Sequence, residues 1–505
     1  MVFYLFNNCF IRTLYNGDKM KDCSIWLTNI VKDKYMSLTK DIECDTLIIG
    51  GGITGLSCAY FMQPTSQKII LVESNKIASG ATSKSTGKLT YLQEAYLNKI
   101  ENVYNTDVAL KYIDSQKYAI NLAKKIIIDN NIKCDFETSS SYIFNTDMLN
   151  TFKIFDLYRL LKINSNVKIK NKLPINLACI KAIEANDTYV FNPVKYVLEL
   201  AKLLKKNIDI FENTRITKLS NNNGYWYAST GKNKIKAKNI ILACHYPFFI
   251  IPYLFPLKTT IEKSFLVASE VEKHKKFSAI NIDKNLLSIR FYNNKKKYII
   301  TVTNNDKLHK NIDDLNKRNN AIWNTKTNFS TNIKYCWSNH DIMTSDYLPL
   351  IGKIKNNLYL ATGYNTWGMT NGILAGKIIS DLISNQKNEY SSLFDPLRNF
   401  CNVPKLITNN VTNGISFIDS KINKNKFFYD EKVKIITENG IRYGIYIDEN
   451  RKEHKVLNLC PHMKCSLYFN YQTKTRDCPC HGSSFDVDGN VIYGPANCDI
   501  KKNSK

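Results

Sequence analysis

A chain of 505 residues is too long for one ordinary core, and 44% apolar with 12% aromatic content suits a globular protein of two to four domains. A formal net charge of +26 raises nucleic acid or an anionic membrane as partners. Lysine, however, outnumbers arginine roughly seven to one and is spread among asparagines with no basic stripe, so the charge reads as a solvated surface and no nucleic-acid partner is expected.

In chain order, residues 1–43 read as an N-terminal extension. They show no basic region followed by an apolar stretch of signal-peptide length, and Met20 stands as an alternative start. Cys44 to Gly55 then reads CDTLIIGGGITG. A buried parallel strand (Thr46 to Ile49) runs into Gly50-x-Gly52-x-x-Gly55, and a helix continues through Met62. A second strand, Lys68 to Val72, ends at Glu73, twenty-three residues after Gly50. This is the dinucleotide-binding fingerprint in its proper context. Gly50 permits the tight turn, Gly52 lets the backbone approach a pyrophosphate, and Gly55 lets helix and strand pack closely. Ile53 and Thr54 open the helix whose N–H groups and positive dipole favour the phosphates. Glu73 would accept hydrogen bonds from the adenosine ribose. The loop that follows, Ser74 to Lys88, contains Gly80-Ala81-Thr82 and is rich in small and hydroxyl residues. It suits a backbone running along an extended cofactor such as FAD; a surface turn is its plainer reading. No second glycine-rich strand–turn–helix marks a nicotinamide domain.

Helical periodicity fills Val108 to Ile128, and Asn192-Pro193 opens a second helix. Strands at Ile208 to Thr217 and Ile235 to Ala243 return to the first sheet, with Ile216 placed to meet an adenine. The apolar stretch Tyr246 to Leu257 is too short for a bilayer and holds three prolines, so no transmembrane segment is expected. Alternating stretches between Thr259 and Tyr335 suit a β-sheet roof. Asn356 to Thr362 is a strand leading to Gly363, then Gly368-Met369-Thr370, then a helix, ILAGKIISDLIS. This loop would present another helix N-terminus to a flavin ring, where it stabilises negative charge.

The tail carries the sharpest signal. Cys460-Pro-His462-Met-Lys-Cys465 is followed, after the fifteen residues Met463 to Asp477, by Cys478-Pro-Cys480-His481-Gly-Ser. Two thiolates (Cys460, Cys478) on one iron and two imidazoles (His462, His481) on the other make a Rieske [2Fe–2S] cluster. The same ligand types also suit structural zinc. A zinc knuckle has no need of Gly482-Ser483 or of the later Gly494-Pro495-Ala496, which suit a hydroxyl donor and a stiff third loop over a cluster. Cys465 and Cys480, in matching places of the two loops, could form a disulfide. The four cysteines of these loops and Cys498 crowd into the tail, and the other nine of the fourteen cysteines are scattered singly, which argues for a reducing, cytoplasmic compartment where such a bridge is an exception.

Together these stretches resemble the D-amino-acid oxidase/glycine oxidase-type flavoproteins, and more closely FAD-dependent oxidoreductases with a C-terminal Rieske domain. The resemblance rests on DTLIIGGGITGLSCAY (Asp45 to Tyr60), LVESNKIASGATSKSTGKLT (Leu71 to Thr90) and ILACHYPF (Ile241 to Phe248). It continues through CWSNHDIMTSDYLPLIG (Cys336 to Gly352), ATGYNTWGMTNG (Ala361 to Gly372) and the two cluster loops. It implies an α/β fold: a Rossmann-like FAD-binding domain with an interleaved α+β substrate domain, plus a small all-β Rieske domain. The boundaries expected are 44–132, 187–258 and 336–390 for FAD, 133–186 and 259–335 for substrate, 391–413 for a linker and 414–505 for the Rieske domain. The activity implied is oxidation of a small amine or amino-acid-like substrate, with electrons leaving singly through the cluster to a soluble acceptor. Reverse electron flow and a non-enzymatic redox sensor are the alternatives. Lys88, in the loop approaching the flavin, is the candidate catalytic residue against a solvated lysine. His245, His274, His309, His340 and His454 are singletons that read as surface or core histidines. Three departures stand out in the tail: Lys464 replaces a usual glycine, Arg476 a common aromatic, and Phe485 the tyrosine that donates to a cysteine sulfur in high-potential relatives. Phe485 places the expected potential in the lower or middle part of a range of roughly −150 to +300 mV.

Overall fold

The computed structural model describes residues 20–28, 30–31, 33–246, 258–307, 314–400, 431–471, 473–480 and 482–500. Residues 1–19, the second half of the expected linker (401–413), His309 and His481 lie outside them. No helix among the described residues is long and apolar enough to cross a membrane.

A first sheet is built around the strand Ile42–Ile49, which runs parallel to Ile69–Val72 on one side and to Lys234–Leu242 on the other. Leu47 and Ile48 are fully buried, as in a sheet covered on both faces. Asp209–Phe211 adds the outer parallel strand, and Leu358–Thr362 pairs with Lys234–Leu242. The helices Ile53–Met62 and Gly368–Ile383 pack against each other on one face. The second of these starts at Gly368, earlier than the expected Ile373, because its glycines serve packing within the helix. A Cβ at Gly372 would lie 2.8 Å from Ile53 Cγ2, and one at Gly376 2.5 Å from Ser57 Cβ. The helices Thr106–Asp129 and Pro193–Leu204 are each capped by asparagine, Asn105 and Asn192.

The second sheet has the order 333–344, 259–270, 296–307, 287–294, 277–281, 140–145, 181–185, 167–170. The strand Ile333–Thr344 is therefore part of this roof. The chain rejoins the first sheet only at Leu350–Lys355, beyond the expected return at 336. Residues 391–400, read as linker, are packed chain: Phe394 is fully buried and its carbonyl accepts from Ile351 N at 2.8 Å. Arg398 there grips Asp346 with two bonds of 2.8 and 2.9 Å. Residues 433–493 form two small antiparallel sheets over a core of Val456, Leu467 and Phe485 with Cys460, Cys465 and Cys478.

Candidate active site

The fingerprint glycines act as their spacing demands. Gly50 has φ +121°, and a Cβ on it would lie 2.4 Å from Ala243 O. A Cβ on Gly55 would lie 1.9 Å from Gly50 O, so strand and helix touch there. Gly52 caps the helix Ile53–Met62 without a side-chain cap of its own, and Ile53 N donates instead to Thr82 Oγ1 at 3.0 Å, so the cofactor loop is tied to the helix start. Glu73 is held by the loop itself, accepting from Gly51 N and Asn75 N at 2.8 Å each and from Ser74 Oγ at 3.1 Å. One long cavity begins at Gly50, Gly52, Ile53, Thr54, Glu73 and Ser74. It continues past Gly80, Ala81, Thr82 and Ile216 to Gly363, Gly368 and Met369. Gly55 and Thr370 stand behind this wall: Gly55 packs on the strand, and Thr370 Oγ1 bonds to Gln93 and Trp367. At the far end the helix Gly368–Ile383 again lacks a side-chain cap. The buried Trp367 Nε1 beside it has no partner among the described residues. Two helix N-termini, a ribose-seeking carboxylate and a glycine cradle in one elongated cavity fit FAD in its extended form.

Lys88 is buried, lines this cavity and donates to Ala279 O at 3.2 Å and Ser288 Oγ at 2.6 Å. Burial, with the nearby Arg290 charge, lowers it to about 7. The surface reading of this lysine thus fails. The strand Lys88–Leu89 is held by Arg290, which donates to Gly87 O and Phe191 O at 2.9 Å and also to Thr86 O, and lies over the Trp26 ring at 5.1 Å. Trp26 belongs to the N-terminal extension, so residues 20–43 serve this site in a way no local motif announced.

The cluster loops lie side by side. Cys460 N donates to Cys465 O at 2.9 Å, and Cys478 N donates to Ser483 O at 2.8 Å. Cys460 and Cys478 are buried and their thiols are hydrogen-bonded, which with donation from Ser483 lowers Cys460 to about 7. His462 is held neutral by burial, lowered to about 4, the form in which imidazole binds metal. Cys465 and Cys480 are disulfide-bonded, Cα–Cα 6.6 Å, and their sulfurs lie with that of Cys478 within 4.8 Å of one another. Lys464 has φ +59°, which explains a glycine at this place in related loops. Arg476 is buried and donates to His454 O at 2.9 Å and Val487 O at 3.3 Å, bracing the two small sheets in place of an aromatic. Phe485 is fully buried against the cluster cysteines. Phe485→Tyr is expected to raise the reduction potential, read by protein-film voltammetry, on the order of 60 mV, the one-electron equivalent of one hydrogen bond to a charged sulfur. An unchanged potential would remove Phe485 as the cause of a low value.

The third loop of this domain packs Ala496 with the cluster cysteines and also reaches the other domain. Ile492 to Asn497 line the same cavity as Gly50 and Gly363. Tyr493 packs against the rings of His245 and His340 at 5.9 and 5.5 Å, with Lys84 Nζ 4.5 Å over its ring. Asn497 Nδ2 donates to Thr217 O at 2.7 Å, and Arg215 to Val491 O at 3.4 Å. Three residues beyond Tyr493, Ala496 N donates to Ser483 Oγ at 2.9 Å, beside the cluster cysteines. His245 and His340 thus meet at a domain contact, burial lowering His245 to about 4, while His274 pairs with Glu137 and His454 lies between Asp448 and Asp488. Tyr493 was missed in the sequence because nothing local marks it.

Fold and cavity define a two-domain redox protein: a flavoprotein with an α/β dinucleotide cradle under a β roof, joined to a small iron–sulfur domain. A family model for FAD dependent oxidoreductases (DAO) matches residues 45–382, and the Rieske [2Fe-2S] domain model matches 421–503. The chain belongs to the DAO family of FAD-dependent oxidoreductases and carries a C-terminal Rieske [2Fe–2S] domain. It is 28% identical to a Bacillus subtilis (strain 168) protein named as a Rieske 2Fe-2S iron-sulfur protein, YhfW, over 94% of this chain and 96% of that one. It is 21% identical to the gamma-glutamylputrescine oxidoreductase of Escherichia coli (strain K12), over 73% of this chain and 88% of that protein. Among solved structures, glycine oxidase from Geobacillus kaustophilus superposes with TM-score 0.59 at 15% identity, covering 71% of this chain and 99% of that one. L-amino acid deaminase from Proteus vulgaris gives TM-score 0.58 at 14% identity, covering 74% and 100%. The chain is an oxidoreductase whose cofactors are FAD and a [2Fe–2S] cluster.

Proposed function

We propose that this enzyme oxidises a small amine or amino-acid-like substrate in the flavin cavity and passes the electrons singly, within one chain, to the cluster and then to an external one-electron acceptor. The observation that carries this reading is Tyr493, a residue of the iron–sulfur domain standing in the wall of the flavin cavity. FAD supplies the two-electron step and the cluster the one-electron outlet. Gly50, Gly52, Ile53, Thr54 and Gly55 would carry its pyrophosphate, with Glu73 and Ser74 at the ribose and Ile216 at the adenine. Gly80 to Thr82 would follow its length. Gly363, Gly368, Met369 and Thr370 would offer the second helix N-terminus to the ring. Cys460, Cys478, His462 and His481 would hold the cluster, with the Cys465–Cys480 bridge fastening its loops. Lys88 would orient substrate or ring from the roof side, its amine held by Ser288.

The covalent path from Tyr493 through Gly494 and Pro495 to Ala496, then the Ala496–Ser483 hydrogen bond, links cavity to cluster loops. Anaerobic mixing with an accepted substrate is expected to bleach the flavin and then bring up the anisotropic Rieske EPR signal. Tyr493→Ala should slow the second event more than the first. A bleached flavin beside a cluster that stays oxidised overturns the proposed outlet.

A further inference from the structure

One face of the roof sheet turns to the cavity and carries the Asp341 carboxyl into its wall. Strand register places Glu262 opposite Asp341 and Ser264 opposite Asn339, and residues two apart share a face. Ser264, Asn339 and Asp341 line the cavity, and Glu94 joins them from the loop before the helix Tyr96–Val103. Asn339 donates Nδ2 to Asp341 Oδ1 at 3.0 Å, which assigns its amide and turns Oδ1 away from the carboxylate. That oxygen, on a residue 8% exposed, accepts no hydrogen bond from the described residues. Burial pushes the Asp341 carboxyl up to about 7, with the Glu262 and Glu94 charges acting in the same direction. A buried acceptor with nothing to accept, beside crowded carboxyls, calls for a donor that brings positive charge.

A substrate carboxylate would call for the opposite, a cation with donors to spare. Arg290 spends its donors on backbone carbonyls and is not in the wall. Arg215 lies at the adenine end, near Ile216, and donates to Val491 O. Lys88 does reach the cavity, but Ala279 O and Ser288 Oγ already take its amine. Lys99 offsets Glu94 from outside the wall, over the Tyr96 ring at 4.6 Å. Lys84 also lines the cavity, with its Nζ 4.5 Å over the Tyr493 ring at the domain contact, while the charges that act on Asp341 are the carboxylates of Glu262 and Glu94.

We propose that Asn339 Oδ1 and the Asp341 carboxylate bind the ammonium group of the substrate, and that the substrate is an amine with no carboxylate on the carbon bearing that nitrogen. The inference rests on the reading of the cavity as a site of C–N oxidation. Matched pairs test it on the native FAD-loaded protein: cadaverine against lysine and agmatine against arginine, which differ only in the α-carboxylate. Anaerobic calorimetry gives the dissociation constant and flavin absorbance the bleaching. The decarboxylated member of a pair is expected to bind at least about tenfold more tightly, the effect of one charge-assisted hydrogen bond against none. Asn339→Leu should weaken amine binding by a similar factor, with flavin and cluster spectra as the check on folding. Preference for the amino-acid members overturns the inference and leaves C–N oxidation standing. An amine affinity unchanged in a folded Asn339→Leu chain overturns the assigned acceptor. Failure of both members of every pair to bind or bleach overturns the C–N reading and this inference with it.

Discussion

Serine at position 478 is expected to erase the Rieske EPR signal while leaving flavin absorption intact. The Cys478 sulfur is buried, hydrogen-bonded with the Cys460 thiol and packed beside the Cys465–Cys480 bridge, so no exposed cysteine can take its place. The loop that presents it is set by two backbone bonds, Cys478 N to Ser483 O at 2.8 Å and Gly482 N to Cys478 O at 3.0 Å. An alcohol is a far weaker ligand for iron than a thiolate. The loss of cluster occupancy should therefore exceed the roughly 10- to 100-fold affinity cost of disturbing a residue that merely supports a ligand. Electron delivery to a one-electron acceptor should fall in step, while substrate still bleaches the flavin. Cys498→Ser, at an exposed cysteine, is the control and should change neither. A Rieske signal surviving in Cys478→Ser would remove this cysteine from the ligand set.

Gly55→Val is expected to cost about 3 kcal/mol or more and to abolish retention of FAD. The first added carbon would sit 1.9 Å from Gly50 O, inside that oxygen, and 3.3 Å from Ile48 Cγ2, a tight contact. Relief requires lifting the helix Ile53–Met62 off the strand Ile42–Ile49. That same movement displaces the N–H groups of Gly52 to Thr54 from the place a pyrophosphate needs them. Stability and cofactor binding should thus fail together. Thermal melting of the apoprotein separates the two: a melting temperature close to native with FAD lost would confine the damage to the loop, and unchanged FAD retention would refute the close-contact role. Gly80→Ala provides the contrast in melting temperature, since a Cβ there meets no protein atom within 4 Å.

The parts that could be read locally share one property: their chemistry is set by a few neighbouring backbone units. Gly50, Gly52 and Gly55 with Glu73 describe one strand–turn–helix, and their roles are visible in the spacing alone. The Cys-x-His and Cys-x-Cys-His loops are equally local, and the disulfide partners Cys465 and Cys480 lie in those same loops. Strand and helix limits went astray where packing overrode a local cue. Gly372 looked like a loop residue because glycine breaks isolated helices, yet its close contact with Ile53 and Thr54 makes glycine the residue that fits. Residues 391–400 looked like a linker because they lack periodicity, and the Arg398–Asp346 pair holds them down.

By itself the sequence determined the two cofactors and the order of the domains that carry them, because glycine turns and metal-ligand loops are short-range constraints on backbone and donor type. Tertiary structure alone decided where those domains meet and what the cavity presents. Tyr493 comes to His245 and His340 across separations of 248 and 153 residues. The face of Glu262, Asn339 and Asp341 exists only because two strands some eighty residues apart pair in one register. A one-residue slip would turn that face away from the cavity, since side chains alternate along a strand. Such contacts follow from how sheets stack and which faces are buried, quantities of the whole fold rather than of any segment.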